Sequence, residues 1–193
     1  MTHEQTGKTM NSCLLIVDLQ NDYFTGGRME LVGIEEAAGH ARMLLDAFRT
    51  GHLPVIHIRH LSIHPAATFF LPGTDGAEIN PAVAPWEGET VVVKNFPNSF
   101  RATPLLELLQ AQNIDRLVIC GAMSHMCIDA TTRAAFDLGF PCVVGADACA
   151  TKDLTFGGRT VKAVDVHASF MAALSGIYAR VAPTREVIAE FGE

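Results

Sequence analysis

The chain has 193 residues, 49% of them hydrophobic and 18% charged, with a formal net charge of −7. That balance excludes a disordered chain, and negative charge without any Lys/Arg cluster excludes nucleic acid held by its backbone. Five cysteines, an odd number with no Cys-x-x-Cys pair, exclude a disulfide framework and a zinc ribbon and indicate a reducing compartment.

Apolar runs of strand length alternate with helical patterns along the chain. The first 11 residues are polar and expected to be flexible, and the run 13–17 behind them is too short for a signal-peptide core or a membrane span. A cytoplasmic protein with no membrane partner is therefore expected. Strand one is predicted at 13–18, followed by a helix over 35–50, where Ala38, Ala41, Leu44, Leu45 and Phe48 repeat at helical spacing and Gly51 suits the end. Strand two is predicted at 54–59. The stretch 60–86 shows no periodicity and carries Pro65, Pro72, Gly73, Gly76, Pro81 and Pro85, so a binding loop or lid is expected there. Strand three is predicted at 90–94, a helix opened by Pro104 over 104–112, and strand four at 116–121. A helix over 127–138, strand five at 141–145, a helix over 159–174, strand six at 177–181 and a helix near 184–190 complete the series.

This alternation implies one α/β domain over 1–193, a largely parallel sheet with helices on both faces. In that architecture ligands bind beyond the C-terminal ends of the strands. Three such ends carry chemistry: Asp18 after strand one, Lys94 at the end of strand three and Cys127 in the turn after strand four. A thiol near a helix start faces the positive end of the macrodipole and is expected to have a lowered pKa. Asp18 is positioned to take its proton, and Lys94 to hold the cluster electrostatically and favour thiolate.

Each of the three lies in a distinctive local sequence: Asp18-Leu19-Gln20-Asn21-Asp22-Tyr23-Phe24, Lys94-Asn95-Phe96-Pro97-Asn98-Ser99-Phe100 and Gly121-Ala122-Met123-Ser124-His125-Met126-Cys127-Ile128. Together, in this order, they resemble the three motifs of the isochorismatase-like cysteine hydrolases, and the resemblance runs from about residue 12 to about 182. It implies a Rossmann-like three-layer α/β/α sandwich with a six-stranded, mostly parallel sheet. It also implies a Cys-Asp-Lys triad with Cys127 as nucleophile, Asp18 as general base and later acid, and Lys94 as third member. Family members have a cis peptide ahead of the nucleophile's turn, which maps to Ala122–Met123. The backbone N–H groups of Met123 and Cys127 would then form an oxyanion hole. The topology suggests Gln20, Phe24, His60, Asn98 and Phe100 as pocket residues, with His125 as pocket lining at most.

The resemblance also narrows the reaction. The namesake, which hydrolyses a vinyl ether, lacks the thiol, so Cys127 favours cleavage of a small amide, ureido or carbamoyl C–N bond through a thioester. Isochorismate-type ether hydrolysis is the enzymatic alternative, and a non-catalytic module using Cys127 as an oxidisable switch is the other. The nicotinamidase branch binds a metal through Asp-x-His and a further His after strand two. Here His57-Ile58-Arg59-His60 and His64 stand without an aspartate before Asp75, so no metal and no cofactor are expected. A small-molecule substrate and a homo-oligomer, dimer or tetramer, complete the expectations.

Overall fold

The computed structural model describes residues 10–191. Six strands form one sheet: β1 (Ser12–Val17), β2 (Val55–His60), β3 (Thr90–Lys94), β4 (Arg116–Ala122), β5 (Cys142–Ala150) and β8 (Arg180–Ala182). Their spatial order is β3-β2-β1-β4-β5-β8, and every neighbouring pair is parallel. A separate antiparallel hairpin joins β6 (Leu154–Phe156) to β7 (Arg159–Val161).

Parallel strands covered on both faces must be apolar on both faces, and β1 is buried at all six positions. Its side chains alternate between two cores. Leu14 and Ile16 join Leu44, Leu45 and Phe48 of α1 (Ile34–Thr50) and Val187 of α5 (Thr184–Ile188). Cys13, Leu15 and Val17 instead join Leu105 and Leu109 of α2 (Leu105–Ala111), Ala135 of α3 (Asp129–Asp137) and Leu174 of α4 (Ala163–Ser175). Two helices thus cover one face and three the other, giving the three-layer α/β/α sandwich. No described helix is long and apolar enough to cross a membrane.

Several boundaries differ from the sequence expectations for local reasons. β1 stops at Val17 because Asp18 turns into the left-handed region at φ 52. β5 runs on to Ala150 past a register irregularity between Ile119 and Gly121 on β4, where a strand ending at 145 was expected. The helix expected over 159–174 begins only at Ala163, since Gly157 and Gly158, at φ 57 and 75, turn the chain and place Arg159–Val161 in the hairpin. The last strand starts at Arg180 rather than 177, because Ile177 and Tyr178 belong to the turn that ends α4. The segment 60–86 holds two single 3-10 turns, Asp75–Ala77 and Pro81–Val83, and an isolated bridge from Gln20 to Ile79 that straps it across the sheet end. Of the stretch 1–11 expected to be flexible, residues 1–9 lie outside the described residues. Asn11 is anchored, its amide donating to the carbonyls of Gln112 (2.9 Å) and Asn113 (3.1 Å).

Candidate active site

The ends of β1, β3 and β4 lie on one rim of the sheet and bring three side chains together. Lys94 is the last residue of β3, and its side chain is fully buried. Asp18 follows β1, its left-handed turn held by its amide donating to the Ile58 carbonyl at 3.0 Å. β4 approaches β1 so closely at Gly121 that a Cβ there would stand 2.0 Å from the Val17 carbonyl oxygen, and φ of +123 also demands glycine. Past it comes the cis Ala122–Met123 peptide, then a π-helical turn, Ser124–Ile128, that carries Cys127 into α3. The Met123 carbonyl accepts from the amides of Met126 (3.0 Å) and Ile128 (3.2 Å), which winds this turn wider than the α-helix expected from 127.

Lys94 Nζ is the centre of the cluster. It lies 2.7 Å from Asp18 Oδ2, 3.2 Å from Cys127 Sγ, 3.0 Å from His60 Nδ1 and 3.1 Å from the Phe96 carbonyl oxygen. Burial works against the ammonium, but Asp18 and Cys127 outweigh it and hold Lys94 above the ordinary lysine range. Asp18 is wholly buried, and its partners are the Lys94 ammonium and the Cys127 thiol. Buried pairs of this kind contribute little net stability, so a buried carboxylate beside a thiol fits proton transfer better than architecture.

The thiol is the main electrostatic correction to the sequence reading. Burial, and then the Asp18 charge, push the Cys127 pKa well up, while Lys94 pulls it only partly back. These surroundings favour the thiol over the thiolate. The helix start is opposed by burial, with Cys127 only 5% exposed, and by the neighbouring carboxylate. Tyr23 is pushed up as well, first by burial and then by Cys127, Asp18 and Asp22, and remains a phenol.

Cys127 opens into a cavity of ≈ 240 Å³ walled by Tyr23, Phe69, Phe70, Pro97, Met123 and Met126, with His60 and Asn95 as its polar members. These two also line an outer cavity of ≈ 420 Å³ with Ser62, His64 and Phe96. Of the expected pocket residues, only His60 lines the cavity at the thiol. Gln20 is buried behind it, clamping the His60 backbone by accepting from its amide (2.7 Å) and donating to its carbonyl (2.8 Å). Phe24 faces a different cavity beside Arg28 and Pro81. Asn98 accepts from the Phe100 amide at 2.9 Å, and Phe100 packs into the core against Phe140. His125 turns away from the cavity, its Nδ1 2.6 Å from Thr151 Oγ1 and its ring against Phe170.

The aromatic wall was missed in the sequence. Tyr23 and Phe70 meet with ring centroids 4.6 Å apart, and Asp22, the buried neighbour of Tyr23, ties the two segments by accepting from the Phe70 amide at 2.6 Å. Gly76 is required there, since a Cβ would sit 2.1 Å from Asp22 Oδ1. The signal was the pair Asp22-Tyr23 meeting Phe69-Phe70 from a distant segment, a pairing that periodicity does not reveal. Behind the thiol, Ser124 Oγ donates to the Ala150 carbonyl (3.2 Å) and meets His167 Nδ1 at 2.8 Å, fixing the π turn to β5 and α4.

For a metal, the donor atoms of Asp18, His60 and Cys127 lie within 4.8 Å of one another. Lys94 Nζ already stands among all three, so the position a cation would take is filled by the ammonium. The other strand-two histidines are engaged elsewhere: His57 Nε2 meets Glu89 Oε2 at 2.9 Å, and His64 Nδ1 accepts from the Ala66 amide at 3.1 Å.

Residues 12–182 match the family model for the Isochorismatase domain. The chain is 49% identical over 175 residues to the uncharacterized isochorismatase family protein YddQ of Bacillus subtilis, covering 91% of this chain and 97% of that one. It is 30% identical over 155 residues to the maleamate amidohydrolase of Pseudomonas putida, covering 73% of each. A crystal structure provisionally assigned as an isochorismatase hydrolase, from Oleispira antarctica, superposes with a TM-score of 0.90 at 55% identity over 94% of this chain and 98% of that one.

Proposed function

Since the chain belongs to the isochorismatase family of hydrolases, we propose that it is a cysteine hydrolase cleaving a C–N bond of a small amide, ureido or carbamoyl substrate. The observation that carries this reading is the contact set of Lys94 with Asp18 and Cys127 beside a largely apolar cavity. The maleamate amidohydrolase among its relatives is in keeping with it.

In the proposed cycle Asp18 takes the thiol proton as Cys127 Sγ attacks the substrate carbonyl, so negative charge passes from carboxylate to substrate oxygen. The Met123 and Cys127 backbone N–H groups receive that oxyanion. Its collapse breaks the C–N bond, and the leaving nitrogen carries away the proton held by Asp18. What remains is a thioester, a free amine or ammonia, and an ionised Asp18. Water enters, gives a proton to Asp18 and attacks the thioester; the released sulfur recovers that proton, and the acid product leaves. Because burial and Asp18 favour the thiol, a base is needed in the first step. Lys94 keeps the carboxylate and sulfur in register throughout and supplies the positive charge a metal would otherwise bring.

The deciding experiment is ammonia release from a panel of small primary amides, ureas and carbamoyl compounds. Sustained release, abolished in Cys127→Ala, with an acyl mass trapped on Cys127 from a slow substrate, is expected. Turnover that persists in Cys127→Ala overturns the thioester route.

A further inference from the structure

Lys94 holds three ammonium protons, yet four acceptors surround Nζ within 3.2 Å: Asp18 Oδ2, His60 Nδ1, the Phe96 carbonyl and Cys127 Sγ. One acceptor is always left without a proton. Asp18 is charged and closest, and the Phe96 carbonyl sits on the lysine's own strand exit only two residues away. The competition that remains is between the imidazole and the sulfur. A thiol is a weak acceptor, so the third proton rests on His60; a thiolate is a strong one and must draw it away.

We propose that His60 is a positioning residue which competes with Cys127 for the Lys94 ammonium and thereby sets how readily the thiolate forms. The chain invests in holding the imidazole there. Gln20, wholly buried, grips both backbone polar groups of His60 and is itself fixed by donating to the Ala77 carbonyl at 2.8 Å. Phe70 flanks the ring at 5.9 Å. Accepting from Lys94 also fixes the tautomer: Nδ1 carries the lone pair, and the proton sits on Nε2. Burial, then Lys94, hold the His60 pKa below its ordinary value, so the ring stays a neutral acceptor at neutral pH. The effect keeps the nucleophile dormant in the empty site. A substrate that gives Nζ or the sulfur a better partner alters the competition only where chemistry is about to occur.

The titratable groups facing the sulfur are Asp18 and Tyr23 from the segment after β1, His60 from β2 and Lys94 from β3, and the test alters only the third. Iodoacetamide alkylation of Cys127, followed by peptide mass mapping across pH, reads thiolate formation without any substrate. It therefore stays informative even where the amide-hydrolysis reading fails. His60→Leu removes the acceptor while keeping the site dry, and the alkylation midpoint is expected to fall by about one pH unit, roughly tenfold faster labelling at a fixed pH below the midpoint. His60→Asn, whose Oδ1 can stand where Nδ1 stood, is expected to keep the midpoint near that of the unaltered protein. An unchanged or higher midpoint in His60→Leu overturns the proposal. Equal falls in both variants overturn it too, because the acceptor would then not be what matters.

Discussion

At Cys127 the sulfur is buried, faces a carboxylate and shares a cation with three other acceptors, so its reactivity is set by proton placement rather than by its helix start. Asp18→Asn, nearly isosteric, is expected to keep the melting temperature within a few degrees while lowering turnover by about 10³-fold, since the amide cannot take the thiol proton. A loss of stability in step with activity would instead mark Asp18 as a structural residue. Lys94→Met leaves the Asp18 charge buried alone and is expected to cost about 3 kcal/mol in urea unfolding. Asp18, Lys94 and Cys127 were legible in the sequence because each follows a recognisable apolar run, and strand ends of a parallel sheet share one rim. The direction of the thiol pKa was not legible, because the walls around Cys127 include Tyr23, Phe69 and Phe70, which arrive from other segments. Phe24, Asn98 and Phe100 lie within the motifs, but their side chains leave the rim for a neighbouring cavity, a local turn and the core.

Among elements, the β1–β4 crossing is the tightest. Gly121→Ala places a methyl group on the Val17 carbonyl at a backbone angle alanine avoids, and is expected to leave little soluble folded protein, read by expression and circular dichroism. A second polar knot ties α1 to the entry of β3: Arg49 donates to both Glu89 oxygens (2.7 and 2.8 Å), and His57 and the Trp86 amide complete the ring around that carboxylate. Burial raises Glu89, but these partners outweigh it and hold the pKa at about 2. A folded value below the unfolded one means stability present above about pH 4.5 and lost as pH falls through about 2. His57, lowered chiefly by burial, protonates more readily unfolded, so it too removes stability as pH drops below about 6.5. Glu89→Gln is therefore expected to flatten the acid limb of a melting-temperature profile between pH 4.5 and 2; an unchanged limb would place the acid sensitivity elsewhere. Six strands and most helices were legible from apolar runs. The hairpin at Arg159–Val161 was not, because Thr160 and Val161 suit either pattern and only the Gly157-Gly158 turn decides between them.

For the molecule as a whole, apolar side chains remain in water where the chain alone cannot cover them. Phe156 is 90% exposed at the hairpin tip, and Val164 and Ile177 bracket α4 at 71% each. Self-association that covers such side chains is expected, so light scattering at micromolar concentration should give a mass above 20.8 kDa, and Phe156→Asp should lower it. A monomer mass for the unaltered protein would count against it. Prolonged EDTA dialysis is expected to leave any amide hydrolysis intact, since Lys94 fills the place of a cation; activity lost and then restored by a transition metal would reverse that reading. The strand order β3-β2-β1-β4-β5-β8 has a consequence for synthesis on the ribosome. By the time Lys94 emerges, β1, β2 and β3 can pair, but β1, the most apolar strand, then forms an open edge that is closed only when β4 follows more than twenty residues later. The nascent chain thus carries its stickiest edge in its middle age, and a pause in translation between residues 94 and 122 is where it most needs a chaperone's cover.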